Sequence, residues 1–191
     1  MEKQLTELTL EELWERFPIV LEKYNPEYKK WYEEEKEKLT AIFKEYYRIS
    51  HIGSTAVCGL VAKPIVDILL EIKDIHDPDK ITVLLEKNGW ILMARNANGA
   101  LDFNKGYTPE GYADRVYHLH IKRPGDWEEL YFRDYLKKHP VVAAEYAYLK
   151  QELKKKFEPD RDAYTNAKSE FIVKYSELAK REFNNKYKPE I

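Results

Sequence analysis

With one cysteine, Cys58, in 191 residues, the chain can build neither a disulfide framework nor a thiolate zinc cluster, both of which need several thiols. No apolar run approaches the ~18 residues of a membrane span, and the N-terminus lacks the basic-then-apolar order of a secretory signal. The expectation is a cytoplasmic protein with no membrane partner. An excess of one charge is missing too: 32 Lys and Arg face 34 Asp and Glu, for a net charge of −2. No overall field therefore draws the chain to nucleic acid, and none is expected as a partner. The basic runs Lys154-Lys155-Lys156 and Lys36-Glu37-Lys38 read as the wet faces of helices. No GxxxxGK[ST] loop occurs, which excludes P-loop phosphate chemistry.

What is present describes a well-solvated globule with a real core: 43% hydrophobic residues, 35% charged residues and 15 tyrosines, whose rings suit half-buried positions. Thr9-Leu10-Glu11-Glu12 is a capping-box pattern, and Asn25-Pro26 pairs a cap with the proline favoured at a first helical position. Helices are expected near 9–16 and 26–46, and strands at 48–52 and 65–72, with room for a short helix between Thr55 and Ala62. A helix at 79–87 closes on Asn88-Gly89, and a strand follows at 90–94. The turn formers Asn98, Gly99, Gly106, Pro109 and Gly111 make 95–113 a hairpin or a mobile loop. Residues 115–122 alternate as a strand, and only helices follow, at 127–138, 141–157 and 161–183. The expected fold class is α+β: a small mixed β-sheet with flanking helices (1–125) and a helical C-terminal part (126–191), in a single domain spanning 1–191.

The densest chemistry lies between His51 and Ile72. Ile49 to Ile52 reads as a strand and Gly53-Ser54-Thr55 as a turn whose backbone N–H groups can face an anion. Lys63 brings charge near the loop, and Ile65 to Ile72 reads as a buried strand carrying Asp67. An ionised, unpaired acid among Ile, Val and Leu costs several kcal/mol, so Asp67 belongs at a hydrogen bond, a phosphate site or a metal.

These residues resemble the fingerprint of the nucleotidyltransferase superfamily, in which Gly-Ser precedes an acid-bearing strand. The wording is closer still to the GrpB family, also called UPF0157. Gly53-Ser54-Thr55-Ala56-Val57 and Ala62-Lys63-Pro64-Ile65-Val66-Asp67-Ile68 match its segment, with Cys58 where the family usually has proline. Further matches are Tyr24-Asn25-Pro26, His118-Leu119-His120, Phe132-Arg133-Asp134-Tyr135-Leu136, Glu145-Tyr146-Ala147-Tyr148-Leu149-Lys150 and Tyr164-Thr165-Asn166-Ala167-Lys168. The resemblance covers roughly residues 17–180 and implies a nucleotidyltransferase-like sheet. It departs from the superfamily at Leu69, where the second acid of the metal clamp would fall. Glu71 shares the face of Asp67 but lies about 13 Å along the strand, too far to replace it.

His118 and His120 leave one face of their strand. With Asp67 they form either a set of metal ligands for Mg²⁺ or Mn²⁺, with a histidine as general base, or hydrogen-bonded spacers inside the sheet. His51 is a third candidate, or a satisfied half-buried histidine. Arg133, Lys150, Tyr164 and Lys168 come from the later helices and could close over a polyanion; Arg133 and Lys168 stand ahead through their family segments. Asp102 could supply a further carboxylate, but among turn residues it reads as a surface loop acid. The first functional expectation is a metal-dependent nucleotidyl or phosphoryl transferase acting on an unidentified acceptor. Asp67, His120 and Lys63 would be catalytic, Gly53, Ser54, Thr55, Arg133 and Lys168 would hold a nucleoside triphosphate, and Asp67, His118 and His120 would hold the metal. The alternative is a non-catalytic module binding a nucleotide or phosphorylated small molecule, which the resemblance suggests through GrpB-like domains fused to dephospho-coenzyme A kinase. A hydrolase with a histidine-rich metal site is a third class.

Overall fold

The computed structural model describes residues 7–158 and 160–189. Helix α1 (Leu10–Arg16) opens with both halves of the Thr9/Glu12 capping box made. Helix α2 (Glu27–Ile42) starts where Asn25 Oδ1 accepts from the Glu27 N–H at 3.0 Å. It stops short of the expected 46 because the chain is already committed to the sheet: the Tyr47 N–H donates to Glu71 O at 2.7 Å.

Five strands follow, β1 (Arg48–Ile52), β2 (Ile65–Glu71), β3 (Ile91–Arg95), β4 (Leu101–Thr108) and β5 (Gly111–Lys122), with helix α3 (Pro78–Glu86) between β2 and β3. Their order is β1-β2-β5-β4-β3, with β2 and β5 parallel and the other pairings antiparallel. The mixed sheet expected from sequence is thus present. Residues 101–122 form a long hairpin, and β5 begins at Gly111 instead of 115. Gly106 makes this possible: at φ 87° it sits at a register shift, where a Cβ would run into Arg115 O.

Alternation gives the sheet two unlike faces. Val66, Ile68, Leu70, Tyr117, Leu119, Ile121 and Phe103 pack with Tyr28, Tyr32 and Leu39 of α2, Leu85 of α3, and Trp90. The opposite face carries Asp67 and Glu71 of β2, His118 and His120 of β5, and Asp102 and Asn104 of β4.

Over this polar face lie α4 (Glu128–Lys138), α5 (Pro140–Phe157), α6 (Arg161–Asn166) and α7 (Ser169–Glu182). The helix expected over 161–183 is therefore two. Lys168 N–H bonds back three residues to Thr165 O at 3.3 Å, a tightened turn after the weak helix formers Thr165 and Asn166. Leu130 of α4 packs on Ile52 and Leu69. Phe132, Leu136 and Tyr146 pack with Val57 and Leu60 of the segment linking β1 and β2, which fastens the helices to the Gly-Ser loop. Among the described residues no helix is long and apolar enough to cross a membrane.

Candidate functional site

The parallel pairing of β2 with β5 sets Asp67 beside His118, and the antiparallel pairing of β1 with β2 sets Ile52 beside Asp67. The chain leaves β1 at Gly53, with φ 69°, and passes so close to β2 that a Cβ there would collide with the Asp67 carboxylate. The glycine of the Gly-Ser motif is thus required by both backbone angle and close approach. A 3-10 turn, Ser54–Ala56, follows. Thr55 pins it: its buried hydroxyl donates to Ile65 O at 3.0 Å and meets His51 Nε2 at 3.0 Å. His51 also stacks on Tyr32, with ring centroids 4.8 Å apart, and burial depresses its pKa to about 4. It is a neutral structural imidazole, the blander of the two roles expected for it.

Two acid–imidazole pairs lie side by side on the polar face. Asp67 Oδ1 meets His118 Nδ1 at 3.1 Å, and His118 Nε2 meets the Tyr107 hydroxyl at 2.8 Å. A neutral His118 therefore carries its proton on Nδ1 and accepts from the phenol. His120 Nδ1 meets Asp102 Oδ1 at 2.7 Å, and Asp102 accepts from Asn96 Nδ2 at 2.7 Å. Asp102 is thus part of the network, where sequence alone read it as a surface acid. Burial opposes ionisation of Asp67, but the hydrogen bond and charge of His118, with His120 and His51 behind it, hold its pKa below the usual value. Burial likewise disfavours a charged His120, and its hydrogen bond to Asp102 together with the charges of Asp67, Asp102 and Glu129 outweighs this and raises the pKa.

This pairing bears on metal binding. Both ring nitrogens of His118 are engaged and His120 is turned to Asp102, so the three expected ligands do not meet at one point. Among the described residues no group of three or more His, Cys, Asp or Glu side chains converges. Leu69 is fully buried against Ile52 and Leu130, so the position of a second acid is packed shut. Glu71 is fully buried in a separate ion pair. It receives the Arg48 guanidinium, with Arg48 Nη2 at 2.9 Å from Oε1, and the Gly125 N–H at 3.0 Å. The donor set does not fit a pre-built two-histidine metal site.

Asp67, His118 and His120 line a cavity of about 260 Å³ with Ser54, Thr55, Lys63, Lys150, Tyr164 and Lys168. Lys150 is buried; its Nζ donates to Ser54 Oγ at 3.0 Å and to Val61 O, and lies 4.7 Å from the Tyr146 ring centre. Lys63 and Lys168 flank the buried Tyr164 ring at 4.8 and 4.2 Å. Burial pushes the pKa of Lys63 and Lys150 down to about 7 and that of Lys168 to about 8, and the charge of Lys168 adds to the shift of the other two. Of the residues expected to hold phosphates, Ser54, Thr55 and Lys168 line this cavity and Gly53 shapes it. Arg133 does not. Its guanidinium is spent on His51 O at 3.0 Å, the Tyr187 hydroxyl at 2.8 Å and the Asp134 carboxylate, latching α4 to β1 and the C-terminal segment.

Lys150, one of the later-helix residues expected to close over a polyanion but not among those ranked ahead, lines the cavity. A usable signal was its place four residues after Tyr146, on the same buried face of α5. For Tyr107 no such signal exists, since its contact with His118 depends on the register of β4 with β5.

Residues 18–178 match the family model described as GrpB protein. A UPF0157 protein of Pseudomonas aeruginosa is 41% identical over 66% of the chain and 52% of its own length, and UPF0157 protein YqkA of Bacillus subtilis is 34% identical over 83% and 46%. The chain thus spans about half the length of these two relatives. Glutamate-rich protein GrpB of Alkalihalophilus pseudofirmus is 32% identical over 81% of the chain and 91% of its own length. The crystal structure of conserved protein GrpB from Enterococcus faecalis is similar with a TM-score of 0.76 and 30% identity, over 86% of this chain and 99% of that one. In sequence and in fold, the chain belongs to the GrpB family.

Proposed function

We propose that the cavity beside Gly53 and Ser54 binds the phosphates of a nucleotide, and that the chain is a nucleotide-binding module. One observation carries this reading: the ammonium groups of Lys63, Lys150 and Lys168 line a cavity whose carboxylate is Asp67. Like charges held together at partial burial disfavour their own ionisation, and a ligand with two or more negative charges relieves that repulsion while accepting charge-assisted hydrogen bonds. The Ser54 hydroxyl, already held by Lys150, adds a polar contact. The buried Leu69 favours binding over transfer, because the two-carboxylate clamp of the nucleotidyltransferase superfamily is incomplete here.

The hydrogen-bonded chain Asp67–His118–Tyr107 favours a second reading, a nucleotidyl or phosphoryl transferase. Asp67 holds His118 Nδ1, so that Nε2, on which the Tyr107 hydroxyl rests, is the nitrogen that would act as general base beside bound phosphate once the phenol gives way. A Mg²⁺ or Mn²⁺ carried in by the phosphates would find Asp67 as its protein ligand and would screen charge on the phosphoryl oxygens.

Thermal unfolding with ATP and with inorganic tripolyphosphate, with and without Mg²⁺, tests the proposal. A ligand at 100 times its Kd adds about 2.7 kcal/mol of stability. Both compounds are expected to stabilise the wild type, Lys150→Gln to weaken both effects, and Asp67→Asn to remove any part that depends on Mg²⁺. No stabilisation by either compound at millimolar concentration would refute phosphate binding.

A further inference from the structure

Beside the phosphate cavity lies a second chamber of about 460 Å³, and Lys63, His118 and Thr165 line both. The two differ in chemistry. Where the first is walled by lysines and acid–imidazole pairs, the second is walled by Leu13 and Trp14 of α1, by Phe17 just beyond that helix, and by Met93 of β3. Helix α1 is tied there by a hydrogen bond from Arg16 Nη1 to Pro109 O on the β4–β5 turn. Phe17 packs its ring against Tyr107 at 4.9 Å and Tyr112 at 5.1 Å, so the chamber's inner wall is aromatic and rigid. Three polar side chains, Asn104, Arg161 and Asp162, also reach this chamber, together offering an amide, a guanidinium and a carboxylate.

We infer that the second chamber holds the base of the nucleotide whose phosphates occupy the lysine cavity, so that one ligand spans both past Lys63 and His118. The inference rests on the phosphate-binding reading and specifies its ligand. A planar heterocycle stacks on aromatic and apolar walls while its ring edge exchanges hydrogen bonds with an amide, a guanidinium or a carboxylate. An alkyl or acyl chain would satisfy the apolar wall but leave those polar groups facing methylenes, at a desolvation cost. Size agrees: the two chambers together fall within the range of about 300–1,000 Å³ typical of small-molecule sites. The polar edge also predicts discrimination among bases, because a group built to pair with a ring substituent rejects the ring that lacks it.

Calorimetric titration of the full chain compares inorganic tripolyphosphate, four nucleoside triphosphates and dodecyl phosphate. At least one nucleotide should bind about tenfold or more tighter than tripolyphosphate, the range of a stacked base, and the four should not bind equally. Trp14→Ala should erase that advantage and leave tripolyphosphate affinity unchanged. Met93→Ser, at an exposed position where folding is not at stake, should reduce it in the same direction. Nucleotides no tighter than tripolyphosphate would overturn the base assignment and leave phosphate binding standing. Dodecyl phosphate binding tighter than every nucleotide would overturn it in favour of a chain. Binding of none of these compounds would overturn both readings together.

Discussion

Asp67 and Glu71 leave the same face of β2, yet the strand carries them into opposite environments. Glu71 is fully buried, met by the Arg48 guanidinium and by the Gly125 N–H, which fastens the end of β5 to β1 and β2. Asp67 opens on a cavity, bonded to His118 and faced by three lysines. Between them Leu69 is sealed under Leu130. A carboxylate held by an inward guanidinium and a backbone N–H serves the fold. One that meets a histidine and several partly desolvated ammonium groups at a cavity is placed for a ligand. The comparison teaches that the partners brought by neighbouring elements, Arg48 of β1 and the Gly125 N–H for Glu71, His118 of β5 and the cavity lysines for Asp67, decide more than the strand itself which acid does which work.

Substitution can break that contrast. The largest effect is expected for Leu69→Asp, which adds the carboxylate a metal clamp would need but places it among Ile52 and Leu130. The cost should exceed about 4 kcal/mol in chemical denaturation, with no gain in metal response. A stable Leu69→Asp variant that binds Mn²⁺ would show that α4 does not seal this position. Glu71→Gln comes next. It leaves the Arg48 guanidinium without its counter-charge and should cost about 3 kcal/mol, while nucleotide affinity of the folded fraction stays unchanged. An unaltered melting curve with lost nucleotide binding would reverse the roles assigned to Asp67 and Glu71.

Local pattern made part of this legible in sequence. The strand–turn–strand from Ile49 to Ile72 is short in range, so the closeness of Gly53, Ser54 and Asp67 followed from spacing and alternation. The shared face of His118 and His120 followed from the two-residue period of a strand. What stayed hidden depends on register and on packing between distant elements. Asp102 captures His120 because β4 aligns with β5 at that pair, and nothing local to 95–113 encodes it. Arg133 carried the right chemistry for phosphate, but its place on α4 aims it at His51 O and Tyr187. Lys150 is buried by the seat of α5 on the Gly-Ser loop, which overrides the usual solvation of a helical lysine. The break between α6 and α7 escaped periodicity because Tyr164 and Lys168 keep helical spacing across it.

Proton uptake coupled to ligand binding reads the lysine cavity most directly. The folded pKa values of Lys63, Lys150 and Lys168, about 7 to 8, lie below the ordinary lysine value. Between about pH 7 and 10 the unfolded chain therefore binds more protons at these positions than the folded one, and their contribution to ligand-free stability rises with pH across that window. A bound polyphosphate favours the charged lysines and draws protons onto them. Titrating the wild type with tripolyphosphate at pH 8, in buffers of different ionisation enthalpy, should show net proton uptake, with affinity falling as pH rises from 7 to 9. Uptake should shrink in Lys150→Gln. Binding with no proton exchange, or with proton release, would contradict the assignment of these lysines to the phosphates.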